Sequence, residues 1–137
     1  MKKITGYCEQ KAVKFQSKAI RKWSEQMILL VSDALANNQP IDVALFMANT
    51  FTPEIASEFS KSELVILLET SADISTSILY SKIASELMFR YTENAVNLKH
   101  FLSKQSTETL DLALDFLIEA ARFETACFVR DEQKNRK

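Results

Sequence analysis

The sequence predicts an all-α protein, a compact four-to-six-helix bundle with three long helices and short intervening helices. The chain has one glycine and two prolines in 137 residues, where average usage would give roughly ten and seven. Sheets and hairpins need these residues at their turns. Apolar residues also recur at spacings of three and four, and the apolar fraction of 47% is that of a globular protein. We therefore expect one helical domain over residues 1–137.

The first helix is predicted to run from Thr5 to about Ala36. Its apolar residues recur along one face, and the run Asn-Asn-Gln-Pro at 37–40 is a clear helix breaker. The stretch Met27–Val31 is apolar all the way round. A helix without a polar side must be covered by other helices or by a second subunit. This stretch is therefore expected to lie at the centre of the core, or of a dimer.

Two or three short helices are expected next. One spans residues 41–51, and Thr52-Pro53 is a start signal in which an N-cap residue precedes proline at the first helical position. Ser60 followed three residues later by Glu63 matches a capping box. The apolar run Leu64–Leu68 could be a buried strand by itself. The capping box and the lack of a partner strand favour a helix.

The second and third long helices are predicted over residues 74–103 and from Ser106 or Thr107 to about Arg130. Asp73 is the expected N-cap of the first of these. The remaining residues, 131–137, are polar and are expected to fray. Together with the first helix, these two long helices would make up most of the bundle.

A cytoplasmic protein is expected from the sequence. No apolar run approaches the roughly 20 residues that a membrane span needs, and no apolar segment follows the basic N-terminus as it would in a signal peptide. The two cysteines, Cys8 and Cys127, could be neighbours in an antiparallel bundle, so that a disulfide is conceivable. Buried free thiols are the favoured interpretation in this compartment.

Charge is distributed unevenly. Residues 1–22 hold seven cations and one acid, a net charge of +6, whereas residues 33–73 hold seven acids and one lysine, a net charge of −6. The simplest interpretation is a set of solvated faces. Alternatively, the stripes orient a homodimer or dock an oppositely charged partner. The candidate partner-binding residues form a basic stripe, Lys11, Lys14, Lys18, Arg21 and Lys22, and an acidic stripe, Asp111, Asp115 and Glu119.

Motifs for catalysis or cofactor binding are not apparent. His100 is the single histidine and lies on a polar helix face, in line with Glu86 and Arg90, so a surface position is expected. Its surroundings match neither a phosphotransfer site nor a helical nuclease. One histidine without a cysteine cluster makes a transition-metal site unlikely, and one glycine cannot form a phosphate-binding loop. We expect no enzyme activity, cofactor, metal or small-molecule substrate.

The sequence favours a non-enzymatic interaction or regulatory protein, of the adaptor, inhibitor or immunity type. Its partner would be another protein or a second copy of itself, and not a membrane. The alternative is a small DNA-binding regulator with a degenerate helix-turn-helix at about 61–88. Nucleic acid is the less favoured partner, because the pI is about 5.9 and Arg21 is the one arginine of the basic stripe.

Overall fold

The computed structural model describes residues 18–74 and 77–136, and these residues form eight helices and no strand. The predicted all-α bundle is confirmed. The helices outnumber the four to six expected because two long helices of the prediction are each interrupted. In chain order they are α1 Lys18–Ala36, α2 Val43–Thr50, α3 Pro53–Ser57, α4 Lys61–Ile74, α5 Ser77–Tyr91, α6 Ala95–Ser103, α7 Thr107–Glu119 and α8 Phe123–Asn135.

The predicted start signals are present. Ser60 and Glu63 form a complete capping box: the Glu63 amide donates to Ser60 Oγ at 3.2 Å, and the Ser60 amide donates to Glu63 Oε1 at 2.8 Å. Thr52 caps α3, with Pro53 at its first position. Ser106 caps α7 by accepting from a backbone amide at 3.1 Å. These local hydrogen bonds satisfy amides that have no partner within the helix.

The predicted single helix over residues 74–103 is wrong. Asp73, the expected N-cap, lies within α4. A break separates α5 from α6, where the Asn94 side chain accepts from the Asn97 amide at 3.2 Å and starts a new helix. The Thr92 hydroxyl donates back to the Met88 carbonyl at 2.9 Å and helps to end α5. Short polar side chains therefore end and restart the helix without glycine or proline.

The predicted helix from Ser106 to Arg130 is also interrupted. α7 ends in a Schellman motif, in which the Arg122 amide donates to the Leu117 carbonyl at 2.8 Å and the Ala121 amide donates to the Ile118 carbonyl at 3.0 Å. Ala121 has a φ of 59°, a left-handed conformation that glycine usually adopts. The alanine gave no sequence signal for a break. The chain turns here and α8 packs back against α7.

The polar end of the chain is helical, which contradicts the expected frayed tail. α8 continues to Asn135, and the next residue, Arg136, donates to the Leu102 carbonyl at 2.9 Å and to Glu132 Oε2 at 2.9 Å. The bond to Leu102 joins the end of α8 to the last turn of α6, and the bond to Glu132 is local to the same end of α8. A polar segment is thus held in place by charge-assisted hydrogen bonds.

The core is built around α5, which packs against α2, α3, α4, α6 and α7. Its apolar residues Leu79, Ile83, Leu87 and Met88 are fully buried. The other helices contribute one face each to the same buried cluster. Because α5 is surrounded, its position determines which side chains of its neighbours are shielded from water.

Two cations on α5 close the C-terminal ends of the short helices. Lys82 Nζ donates to the Ala48 carbonyl in the last turn of α2 at 2.7 Å. Arg90 donates to the Ala56 carbonyl near the end of α3 at 3.1 Å. The last carbonyls of a helix lack intrahelical partners and carry partial negative charge. These contacts therefore hold α2 and α3 against the central helix.

α1 is attached to the bundle through one face. Trp23 Nε1 donates to Thr50 Oγ1 at 2.8 Å, and the indole makes edge-on contacts with Phe51 and Phe59 at centroid distances of 5.1 and 6.0 Å. Ala19 and Ala34 are the other buried residues of this helix. α1 consequently packs against α2 and α3 and leaves its opposite face in water.

Candidate interaction surfaces

The largest concentration of exposed apolar side chains lies on α1, on α2 and on the segment between them. Met27–Val31 was expected at the centre of the core or of a dimer, and the first alternative is wrong: Ile28 is 63% exposed and Leu29 is 59% exposed. One face of α1 contacts the bundle, so an all-round apolar stretch must leave residues uncovered. We call these exposed residues the α1–α2 apolar surface: Ile28, Leu29, Leu35, Ile41, Val43 and Leu45.

The exposed side of α1 has a regular apolar pattern. The apolar Ile28, Val31 and Leu35 follow one another at spacings of three and four, and the polar Ser24 precedes them by four, so that the four positions have the a/d spacing of a coiled-coil seam. Leu35 is 64% exposed, and Val31 is half-buried. We call these four residues the outer seam. It lies on a different side of the helix from Trp23, so the second half of α1 has two apolar faces.

A groove of about 480 Å³ runs beside the α1–α2 apolar surface, between α1 and the junction of α2 with α3. Its walls include Leu29, Leu30 and Ile55, with the polar Asn49 and Thr50 at one side. This volume lies within the range of pockets that accept ligands or protruding side chains. A partner seated on the apolar surface could therefore insert a side chain here.

The chain segment that carries this surface has charged residues of one sign. No lysine or arginine occurs between Lys22 and Lys61, a stretch that contains five acids. Asp33 and Asp42 are exposed within the segment that carries the apolar residues, and Asp42 also caps α2 by accepting from the Leu45 amide at 3.1 Å. The surface is thus apolar with acidic surroundings, whereas the start of α1 is basic.

The basic stripe is partly used within the chain. Lys18 and Arg21 are exposed at the start of α1. Lys22 Nζ instead donates to Glu58 Oε1 at 2.8 Å, at the end of α3. The hydrogen bond and the positive charge of Lys22 lower the pKa of the Glu58 carboxyl. The remaining predicted members, Lys11 and Lys14, lie outside the described residues.

The acidic stripe lies along the outer face of α7. Asp111, Asp115 and Glu119 are all exposed, and Asp111 Oδ1 accepts from Gln133 Nε2 of α8 at 2.7 Å. Among the described residues, no ion pair joins this stripe to the basic stripe. Lys22 is paired instead with Glu58, the C-cap residue of α3. The structure therefore leaves the acidic stripe as a separate surface.

A buried charge cluster that the sequence did not predict lies at the end of α5. Glu86 is 2% exposed and accepts from Arg122 Nη1 at 2.6 Å and from Arg90 Nε at 2.9 Å. The Arg122 guanidinium carbon lies 3.9 Å from the centroid of the Phe89 ring. The expected polar face containing Glu86 and His100 is thus wrong for Glu86. The break between α5 and α6 separates the two residues: His100 is exposed, as expected, and Glu86 is buried.

A cavity of about 530 Å³ adjoins this cluster, between α3, α5 and the end of α7. Its walls include Lys82, Phe116 and Arg122. Burial lowers the pKa of the Lys82 ammonium, and the negative charge of Glu119 partly offsets this effect. Lys82 Nζ also lies 5.4 Å from the Phe116 ring centroid. Lys82 and Arg122 already make the contacts that hold α2 and α7 to α5, so a structural role accounts for both cations.

The remaining sequence candidates are distributed over the surface. Cys127 is an exposed free cysteine, which contradicts the expected buried thiol, while Cys8 lies outside the described residues. Within residues 18–74 and 77–136, no group of three or more potential ligands is placed to hold a metal ion. In the same ranges, no helix has the length and apolar character needed to cross a membrane.

Comparison with known proteins adds no relative. No protein-family model matches the chain, and no curated protein or solved structure matches it.

Proposed function

We propose that the protein is a non-enzymatic interaction or regulatory protein that binds a protein partner through the α1–α2 apolar surface. The observation that carries this proposal is the concentration of exposed apolar residues. Among the described residues, eleven large apolar side chains are exposed, and six of them lie between positions 28 and 45. Scattered exposed apolar residues are normal, whereas a concentrated group surrounded by polar residues is typical of an interaction site.

The structure gives less support to the DNA-binding alternative. The second helix of the expected helix-turn-helix is α5, the central helix of the bundle. Its residues from Ile83 to Met88 are all buried, and the one lysine of the helix, Lys82, is engaged by the Ala48 carbonyl. A recognition helix must instead present its side chains to a DNA groove. α5 exposes Ser77 and Ile78 in its first turn, but most of the helix from Leu79 to Met88 is buried.

The cytoplasm is the location included in this proposal. The exposed thiol of Cys127 is compatible with a reducing compartment. The basic and acidic stripes enter the proposal as surfaces that select and orient a partner, since charges at the edge of an apolar contact contribute more to specificity than to affinity.

Photo-crosslinking in the cells that make the protein tests the proposal. A benzophenone amino acid replaces Leu35 or Val43 of the apolar surface, or Val96 of α6 as the control. Val96 suits this purpose because it is 77% exposed and lies on another helix. We expect a defined crosslinked species, identified by mass spectrometry, from positions 35 and 43 and not from position 96. No crosslink at either surface position, or equal crosslinking at all three, contradicts the proposal.

A further inference from the structure

We infer that the partner at the α1–α2 apolar surface is a second copy of this chain, bound so that the two α1 helices run antiparallel along their outer seams. This inference rests on the proposed function and names the occupant of the same surface. It depends on two properties of α1: the spacing of its exposed apolar residues and the direction of its charge gradient.

The spacing of the outer seam is suited to packing against an identical helix. Residues at alternating spacings of four and three form a narrow stripe that packs against an identical stripe with side chains interlocked. The outer seam has this spacing, with Ile28 near its middle and Leu35 at its end. A two-fold axis close to Ile28 brings the seam of one copy onto the seam of the other. Such an interface is self-complementary, as a symmetric dimer requires.

The charge gradient determines the direction. The start of α1 carries the exposed Lys18 and Arg21, and Arg21 lies seven residues before Ile28 on the side of the outer seam, whereas the far end of α1 carries the negative end of the helix dipole and is followed by the exposed Asp42. A parallel pair places the cations of both copies side by side. An antiparallel pair brings the basic start of one helix towards the acidic end of the other. Complementary charge therefore favours the antiparallel arrangement.

The first test is the molar mass in solution by size exclusion with light scattering. We expect about twice the monomer mass of 15.6 kDa at both low and high salt, because an apolar seam supplies most of the contact and salt screens only the charges. Ile28→Glu combined with Leu35→Glu is expected to raise the dissociation constant at least about a hundredfold. The control Val96→Glu is expected to leave it unchanged.

The second test reports the direction of the helices. In a chain with Cys8→Ser and Cys127→Ser, cysteines are introduced separately as Arg21→Cys and Leu35→Cys. An antiparallel pair centred on Ile28 places position 21 of one copy opposite position 35 of the other, so a mixture of the two variants should form a disulfide between unlike chains. Each variant alone should remain largely uncrosslinked. A parallel pair gives the reverse pattern, because a disulfide requires Cα atoms within about 7 Å.

The outcomes separate this inference from the function on which it rests. A monomer at every concentration, or a dimer insensitive to the Ile28 and Leu35 changes, overturns the inference. If photo-crosslinking at position 35 then identifies a different protein, the interaction function stands and only the second copy is rejected. If nothing is crosslinked at either position 35 or position 43, both fail. A dimer in which each cysteine variant links to itself overturns the antiparallel arrangement. Circular dichroism of each variant verifies that it is folded.

Discussion

α5 and α1 differ in a way that their compositions do not suggest. α5 buries two serines and a glutamate, and Ser81 and Glu86 are almost inaccessible to water. α1 contains the five-residue apolar run Met27–Val31, yet Ile28 and Leu29 are mostly exposed. α5 is surrounded by five helices, whereas α1 packs on two. Burial in this protein therefore follows the number of neighbouring helices more closely than the apolarity of the helix.

The largest expected effect comes from the buried charge on α5. Glu86→Gln leaves Arg90 and Arg122 without their carboxylate, and we expect a loss of roughly 3–5 kcal/mol in the free energy of unfolding, as for other broken buried ion pairs. Urea denaturation measures this loss. The matched control is Glu132→Gln, which breaks the corresponding pair with Arg136 on the more exposed α8 and is expected to cost less than about 1 kcal/mol. Equal losses would show that burial of Glu86 is not what makes the pair important.

Two leucine-to-alanine substitutions test the same difference in burial between α5 and α1. Leu87 is fully buried on α5 and Leu35 is exposed on α1. Leu87→Ala is expected to cost about 2–5 kcal/mol because it removes buried contacts and leaves a cavity. Leu35→Ala is expected to change the free energy of unfolding by less than about 0.5 kcal/mol when the chain is monomeric. A large loss from Leu35→Ala under those conditions would mean that the outer seam is covered within one chain.

A smaller effect is expected where α7 turns into α8. Ala121 has a φ of 59°, which costs an alanine roughly 1–2 kcal/mol relative to its preferred conformations. Ala121→Gly should therefore stabilise the protein by about 1 kcal/mol in thermal or urea denaturation. The control is Asn38→Gly at the end of α1, where φ is 53° and asparagine already tolerates the conformation. Destabilisation by Ala121→Gly would indicate that the Cβ of Ala121 makes a contact worth more than the strain.

The smallest expected effect is a pH dependence due to Lys82. Burial lowers its pKa in the folded state below the ordinary value of 10.5, so between the two pKa values the unfolded chain binds more protons. Stability should then rise with pH through this window, relative to Lys82→Met. Urea denaturation of both proteins from pH 7 to 10.5 measures the difference. Glu119→Gln should extend the window to lower pH, since Glu119 raises this pKa. A constant difference across the range contradicts the assignment.

The starts of helices were more predictable than their interruptions. Ser60 with Glu63, Thr52 with Pro53, and Ser106 are caps whose hydrogen bonds form between residues three apart. Such bonds depend on local sequence alone. The break at Ala121 has no local signal, because alanine favours helix and adopts a positive φ only under tertiary constraint. Arg122, the next residue, reaches the buried Glu86, and that contact supplies the constraint.

The candidate sites show the same difference between features that depend on local sequence and features that depend on tertiary contacts. The acidic stripe was predicted as an exposed face and is one, because three charged residues on one side of a helix cannot all be buried without partners. The buried position of Glu86 was not predictable, since its two partners are Arg90, four residues on, and Arg122, thirty-six residues on. Of the α1–α2 apolar surface, only the stretch Met27–Val31 was identified from the sequence. Exposure of Leu35, Ile41, Val43 and Leu45 was not predicted.

The sequence by itself determined that this chain is helical, where most helices begin, and which faces carry charge. These properties depend on turn residues, caps and periodicity, all of which act over a few positions. The tertiary structure alone decided which apolar faces are buried. The number of helices that pack against an element, five for α5 and two for α1, determines how much of its surface is shielded from water. Only five-helix packing around α5 shields the polar Ser81 and Glu86, and only two-helix packing of α1 leaves the outer seam available to a partner.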